Sequence, residues 1–433
     1  MPEAVMNVPE LGVRRGPWAR LGPVAVVAAV LALTGCSSSQ AASGAPATSV
    51  APPAVSDANA ALAPLAISPL SDIAPVLGAD NRIHLAYELQ IINQGRARAV
   101  LTGVDTLDPS GAVITSLKGA DLGKVFRAAG GSGGDGLAGG QAGDLFLDAT
   151  LPAGSTVPRS VQHRFTVTLT PPTDAGPSGD APPPAPPTDL TFTGVSVDVS
   201  DQQAVEVAPP LQGGGWVAGN GCCDAITAHR GATLSVDGTI RVAQRFAIDF
   251  VQIGPTGTLY TGDPASNTSF PFFGVQVHSA ADGTVVRVLD GNPEQIPGKL
   301  PEGQTLQSAD GNYVVVDIGN GRYAFYAHLQ PGSLKVKVGD RVKTGDVLGL
   351  LGNTGNTDAP HLHFHIMDGP SPLESNGLPF VLTRFTGTGV VTDESKIIAP
   401  FPAQAPVVPV DTSRLAGAHT GQLPLNLEVV DLG

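Results

Sequence analysis

The chain has 433 residues, enough for two or three domains and a sizeable buried core. With 38 acidic against 24 basic residues its formal net charge is -14, and no basic stripe could offset that, which argues against a nucleic-acid binder. Lysine is scarce and glycine, alanine and proline are abundant, a bias of composition from which no function follows.

The first residues carry an export signal. Arg14, Arg15 and Arg20 form a positive region ahead of Gly22 to Leu33, an apolar run too short to span a bilayer. The run ends in Leu33-Thr34-Gly35-Cys36, which resembles a bacterial lipobox. That resemblance implies cleavage before Cys36 and a diacylglycerol on its thiol, hence an extracytoplasmic lipoprotein of the bacterial envelope held at a membrane. Residues 1–36 are therefore expected to be signal peptide and lipobox. Residues 37–65 are mostly Ala, Ser and Pro and read as a flexible linker.

Residues 66–207 change character. His84 to Ile92, His163 to Leu169 and Leu190 to Val199 alternate as strands do, with Gly, Pro and Asn between them. A small immunoglobulin-like sandwich is expected, interrupted by low-complexity inserts at Gly130 to Gly143 and Pro171 to Pro187. No cluster of catalytic polar residues appears in it, so a scaffold role is expected.

Residues 208–384 are all β as well. Val275 to Leu289, Tyr313 to Ile318, Tyr323 to Leu329 and Leu334 to Val336 each read as a strand, and Asn320-Gly321 signals a type I′ hairpin turn. Val338 to Gly349 places glycines at turns between very short strands. Biotinyl and lipoyl carrier domains share that pattern, but the exposed lysine with apolar flanks that they need is missing here. The adjacent Cys222 and Cys223 admit either a vicinal disulfide or two free thiols. The extension 385–433 has Pro-rich spacing and one strand-like run, Leu425 to Val430.

The chemistry is expected at Gly352 to Ile366, GNTGNTDAPHLHFHI. This stretch resembles the terminal signature of lysostaphin-like (LytM-type, β-lytic) zinc metallopeptidases, in which a Gly-Asn-Thr-Gly loop precedes Pro-His-Leu-His-Phe. Gly311 to Val316, Tyr326-Ala327-His328-Leu329 and Val338 to Gly349 match further blocks in order, so the resemblance covers about a third of the chain. It implies an all-β protein whose C-terminal peptidase domain is of the duplicated-hybrid-motif, barrel-sandwich-like kind. Side chains two apart on a strand point the same way, so His361 and His363 face one surface. The resemblance makes His363 a zinc ligand and makes His361 and His328 the catalytic histidines.

The remaining ligands should come from a His-x-x-x-Asp element. Arg245-Phe246-Ala247-Ile248-Asp249 stands in that place: Asp249 fits the carboxylate ligand, but Arg245 has no lone pair to give a metal. Three outcomes are open. His229 or His365 supplies the ligand (His365 stands where relatives commonly have Glu), the site binds metal weakly with an extra water, or the Arg245 guanidinium replaces the metal and pairs with Asp249. Restoring Arg245→His should raise zinc affinity if the frame is intact.

Two functions follow. One is a lipid-anchored metalloendopeptidase that hydrolyses peptide bonds of peptidoglycan, with one zinc ion. The other is a catalytically inactive peptidase-like module that binds cell-wall peptide or regulates a partner hydrolase. In both, the partners are peptidoglycan peptides or another wall hydrolase, and a membrane through the anchor.

Overall fold

Runs of β-branched and aromatic residues cut by glycine and proline turns give an almost purely β chain. Its one α-helical turn among the described residues is Gly119–Gly123. The computed structural model describes residues 62–130, 136–172, 185–223 and 226–433. Cys36, the signal segment and most of the expected linker lie outside them.

The N-terminal part has eight principal strands: β1 (Leu65–Pro69), β2 (Arg82–Asn93), β3 (Arg98–Leu107), β4 (Val113–Lys118), β5 (Phe126–Ala128), β6 (Ala142–Pro152), β7 (Ser160–Thr170) and β8 (Thr188–Asp198). One sheet runs β1–β2–β6–β5 and the other β8–β7–β3–β4. Leu85, Tyr87, Leu89 and Ile91 of β2 meet Leu101, Val104, Phe165 and Val167 of the second sheet in one apolar core. The opposite face of β2 is buried too. Ala86 joins the core of the C-terminal part, and Glu88 beside it is fully buried. Period-two alternation thus sends one face of β2 into its own sandwich and the other against the rest of the chain.

The C-terminal part is built on β9 (Gly213–Gly219), β10 (Ile248–Gln252), β11 (Gly283–Leu289), β12 (Asn312–Gly319), β13 (Arg322–Leu329), β14 (Leu362–Met367), β15 (Phe385–Val391) and β16 (Glu428–Leu432). They lie in a single sheet in the order β11–β12–β13–β14–β10–β9–β16–β15, every pair antiparallel. The C-terminal extension therefore continues this sheet beyond β9. Asn320 and Gly321 join β12 to β13 with φ of 56° and 69°, the left-handed values that a type I′ turn needs.

Three sequence expectations are corrected. Val275 to Leu289 is two strands, Gln276–His278 and β11, because Ser279 to Asp282 turns the chain. Leu334 to Val336 is no strand: it runs beside the segment Val347–Leu350 with one backbone bond, from the Lys335 N–H to the Leu348 carbonyl. In the expected insert Gly130 to Gly143, Gly136–Leu137 pairs with β3 and β6 begins at Ala142. Cys222 and Cys223 are joined in a disulfide, both buried.

Candidate metal centre

The strand register sets the first pair. Asp249 of β10 lies directly opposite His363 of β14, and Ala327 of β13 lies opposite His363 on its other side. Cross-strand partners share a face, so the Asp249 and His363 side chains meet: Nδ1 of His363 is 3.0 Å from Asp249 Oδ1. Their neighbours Ile248, Phe250, Leu362 and Phe364 go to the main core on the reverse face. His361 and His365 flank His363 at the two-residue spacing of a strand. His361 Nε2 lies 3.3 Å from Asp249 Oδ1, and His365 Nδ1 lies 2.9 Å from His363 Nε2.

His328 reaches the site against the alternation. Tyr326 and Leu329 both enter the main core while Ala327 lies on the site face, so a regular strand would point His328 into that core. Its φ of 65° re-aims the ring, which ends 4.6 Å from His361 and 5.8 Å from His363, centre to centre. The Asp310 carbonyl accepts from the His328 backbone N–H at 3.2 Å, and the Thr354 carbonyl accepts from its Nδ1 at 2.7 Å. Thr354 belongs to the Gly-Asn-Thr-Gly loop. A Cβ on Gly355 would collide with the backbone of Gly311 and Ala309, so this loop needs glycine to approach so closely.

His229 completes the group from outside the sheet. It sits on a turn closed by the Gly231 N–H on the Thr227 carbonyl at 2.9 Å. Its Nδ1 donates to the Ala247 carbonyl at 3.0 Å, and its Nε2 is 3.1 Å from Asp249 Oδ2. Asn220, which no sequence motif singles out, donates to the same Oδ2 at 2.8 Å.

These contacts fix the tautomers. His229, His328 and His361 each place Nδ1 against a backbone carbonyl (Ala247, Thr354 and Ala359), so each neutral ring keeps its proton at Nδ1 and a lone pair at Nε2. The lone pairs of His229 and His361 both face the Asp249 carboxylate at hydrogen-bond distance. Two acceptors that close require a cation between them, a proton or a metal ion. One ligand atom each from His229, Asp249 and His363 lie within 4.8 Å of one another, and two imidazoles with one carboxylate form a donor set that leaves a position open. The residues present therefore fit a divalent metal.

The electrostatics agree. Burial pushes the Asp249 carboxyl up, but the His229 and His361 rings outweigh it and hold it well below the usual carboxylate range. Burial brings His363 down to about 4 despite the Asp249 contact, and with its neighbouring imidazoles lowers His328 and His365 well below the ordinary value. For His361 burial works downward, yet the Asp249 carboxylate wins and raises it. Near neutral pH the group thus offers one carboxylate and neutral rings at His328 and His363.

Arg245 takes no part, which corrects the expectation of a guanidinium in the metal's place. It is 4% exposed and faces away from Asp249. Its Nε donates to the Gly377 carbonyl at 3.0 Å, its Nη2 to the Asp72 carbonyl at 3.0 Å, and its Nη1 to Ser71 Oγ and, at 3.3 Å, to Glu88 Oε2. The buried Glu88 carboxylate and these acceptors take four of the five guanidinium donors on the sandwich side. His365 stands behind His363 rather than beside Asp249, and its own Nε2 is buried without a partner. The segment from Asn292 to Asp310 borders the site: Gln295 N–H donates to the Asn353 carbonyl at 2.7 Å and Gly298 N–H to the Asp358 carbonyl at 2.7 Å.

Residues 269–375, which include His328, His361 and His363, match Peptidase family M23. The peptidoglycan DD-endopeptidase ShyA of Vibrio cholerae is 31% identical over 113 residues, 26% of this chain and 22% of that protein. The glycyl-glycine endopeptidase ALE-1 of Staphylococcus capitis is 38% identical over 86 residues, 20% of this chain and 22% of that protein. This chain thus spans less than a quarter of the length of either. Among solved structures, the lysostaphin catalytic domain from Staphylococcus simulans aligns with 38% of this chain and 86% of its own, at 22% identity and a TM-score of 0.20. The matched stretch is thus a Peptidase family M23 domain, and the relatives of that stretch include lysostaphin from Staphylococcus simulans.

Proposed function

We propose that the chain is an extracytoplasmic, zinc-dependent endopeptidase that cuts peptide bonds of bacterial peptidoglycan, with His229, Asp249 and His363 as the metal ligands. The observation that carries this reading is the contact of His229 Nε2 with Asp249 Oδ2, because it fills the ligand position that Arg245 leaves vacant. Two imidazoles and a carboxylate suit zinc in particular. The wall substrate draws on the names of the relatives, one a peptidoglycan DD-endopeptidase and one a glycyl-glycine endopeptidase. The extracytoplasmic setting and the anchor draw on the lipobox-like run ending at Cys36.

When bound, zinc supplies Lewis-acid polarisation of the scissile carbonyl and a more acidic water. Asp249 holds negative charge in the site, and His365 keeps the His363 ring aligned by accepting from its Nε2–H. His328, with its proton fixed at Nδ1, accepts a proton from the attacking water at Nε2. It returns that proton to the leaving amine nitrogen as the C–N bond breaks and the new C–O bond remains on the carboxyl product. His361 Nε2 faces Asp249 and orients the reacting groups.

The alternative of an inactive module that binds wall peptide or a partner hydrolase drew on the missing ligand at position 245, and the contact of His229 with Asp249 weighs against it. The test uses the soluble chain starting after Cys36. About one zinc per chain, and release of peptides from purified peptidoglycan that stops with chelator and in His363→Ala, is the expected result. Hydrolysis that survives both treatments, or no metal uptake from excess zinc, would sink the reading.

A further inference from the structure

Resting on that reading of the metal site, we infer that Glu88 of the N-terminal sandwich is a positioning residue for the metal centre, acting on His229 through Arg230. Arg230 follows His229 directly, and it is 1% exposed. Its Nη2 donates to the Leu147 carbonyl of β6 at 3.0 Å and lies 3.8 Å from Glu88 Oε1, while its Nη1 donates to the Cys223 carbonyl. The turn that presents His229 is therefore tied by its next side chain to the backbone of the sandwich and to the disulfide. The turn has its own bonds, Arg230 N–H to Thr227 Oγ1 at 3.2 Å and Thr227 Oγ1 to the Asn220 carbonyl at 2.9 Å, and Asn220 itself donates to Asp249.

Glu88 is the common partner of both guanidiniums that border the site. Oε2 accepts from Ser71 Oγ at 2.9 Å and from Arg245 Nη1 at 3.3 Å, and Oε1 faces Arg230. Arg245 sits four residues before Asp249 and Arg230 one residue after His229, so a single buried carboxylate bonds the cation of one ligand-bearing segment and lies 3.8 Å from the cation of the other. What Arg230 adds is geometric: its side chain ties the His229 turn to the Leu147 carbonyl of β6 and to the Cys223 carbonyl.

The consequence is that the sandwich is a working part of the metal centre rather than a spacer. Arg230→Gln supplies the test, since it removes the tie at the His229 turn and leaves the Glu88–Arg245 pair intact. In the whole soluble chain, titrated with cobalt(II) as the probe, Arg230→Gln and Glu88→Gln should each lower affinity by about 10–100-fold, the range for lost outer-shell partners. The visible cobalt bands should weaken as the His229 nitrogen leaves the coordination sphere. Glu88→Asp, which keeps the charge, should retain more affinity than Glu88→Gln, which keeps the volume. Arg230→Gln that keeps the wild-type far-ultraviolet spectrum and also the wild-type cobalt affinity and bands would overturn the inference. A second measurement needs no variant: cobalt loading of the wild-type chain should slow amide exchange in β2 around Glu88 as well as at residues 227–231. Slowing at 227–231 alone would equally overturn it. A wild-type chain that takes up no cobalt would instead remove the metal reading and this inference with it.

Discussion

Nε2 of His229 and Oδ2 of Asp249 stand 3.1 Å apart, joining a turn outside the sheet to the strand that pairs with His363. The turn and the strand are separate elements, so their meeting is a product of packing. It bears on the proposed chemistry, because it sets an imidazole beside Asp249 where Arg245 offers no lone pair.

Replacing His229 should therefore be as damaging as replacing a ligand on the sheet. His229→Ala is expected to lose metal affinity to the same extent as His363→Ala, beyond the roughly 10–100-fold of an outer-shell change. Competition with a chelator of known affinity measures both. An His229→Ala chain that binds zinc as the wild type does would return the ligand assignment to the sheet residues alone.

Arg245→His is expected to do the reverse of what sequence alignment with the family implies. The side chain at 245 points to Glu88, Ser71 and Gly377, so a histidine there has no path to Asp249. Metal affinity should not rise. Stability should fall by about 3–5 kcal/mol, the usual cost of breaking a buried ion pair from one side. Urea unfolding and zinc titration on the same preparation check the two halves.

His328 combines a left-handed backbone with a proposed proton transfer, and two substitutions separate them. Asparagine tolerates φ near 65°, whereas valine does not. Both His328→Asn and His328→Val should lose wall hydrolysis. Only His328→Val should also lose on the order of 1–3 kcal/mol of stability by thermal unfolding. Equal stability of the two variants would mean that the backbone relaxes at no cost.

A pH dependence of stability is expected at His84, whose ring bonds neither Asp249 nor His363. His84 donates from Nδ1 to Asp148 Oδ2 at 2.8 Å and from Nε2 to Asp80 Oδ1 at 3.2 Å. Burial would lower its pKa, but the two carboxylates raise it from 6.5 to about 9. The folded state thus holds this proton more tightly than the unfolded chain. The stabilisation is fully present below pH 6.5, declines as pH rises, and is gone above about 9, at most roughly 3 kcal/mol in all. Melting temperatures from pH 6 to 9.5 should fall more steeply for the wild type than for His84→Asn. Parallel curves would assign no such role to His84.

Much of the strand pattern was legible because each face has its own core. β12 and β13 fall within a residue of where alternation puts them, and Asn320-Gly321 turns the chain between them. His361 and His363 were placed on one face by their spacing, and Asp249 by its position after Arg245. What alternation does not encode is contact between elements. The His229 contact and the Asn220 bond to Asp249 join separate elements, and the aim of Arg245 depends on Glu88 on the second face of β2. His328 was named through the family resemblance, but its aim was not legible, since a left-handed residue in a strand breaks the alternation.

The strands of the C-terminal extension have one more consequence. β16 pairs with β9, and β9 pairs with β10, the strand of Asp249. Ending the chain near residue 384 would strip β9 of its partner and leave a row of bare backbone donors and acceptors one strand away from the metal ligands. Exposed edges of that kind recruit other chains. The last residues thus act as a guard rail: they keep the sheet that carries Asp249 and His363 from growing by self-association.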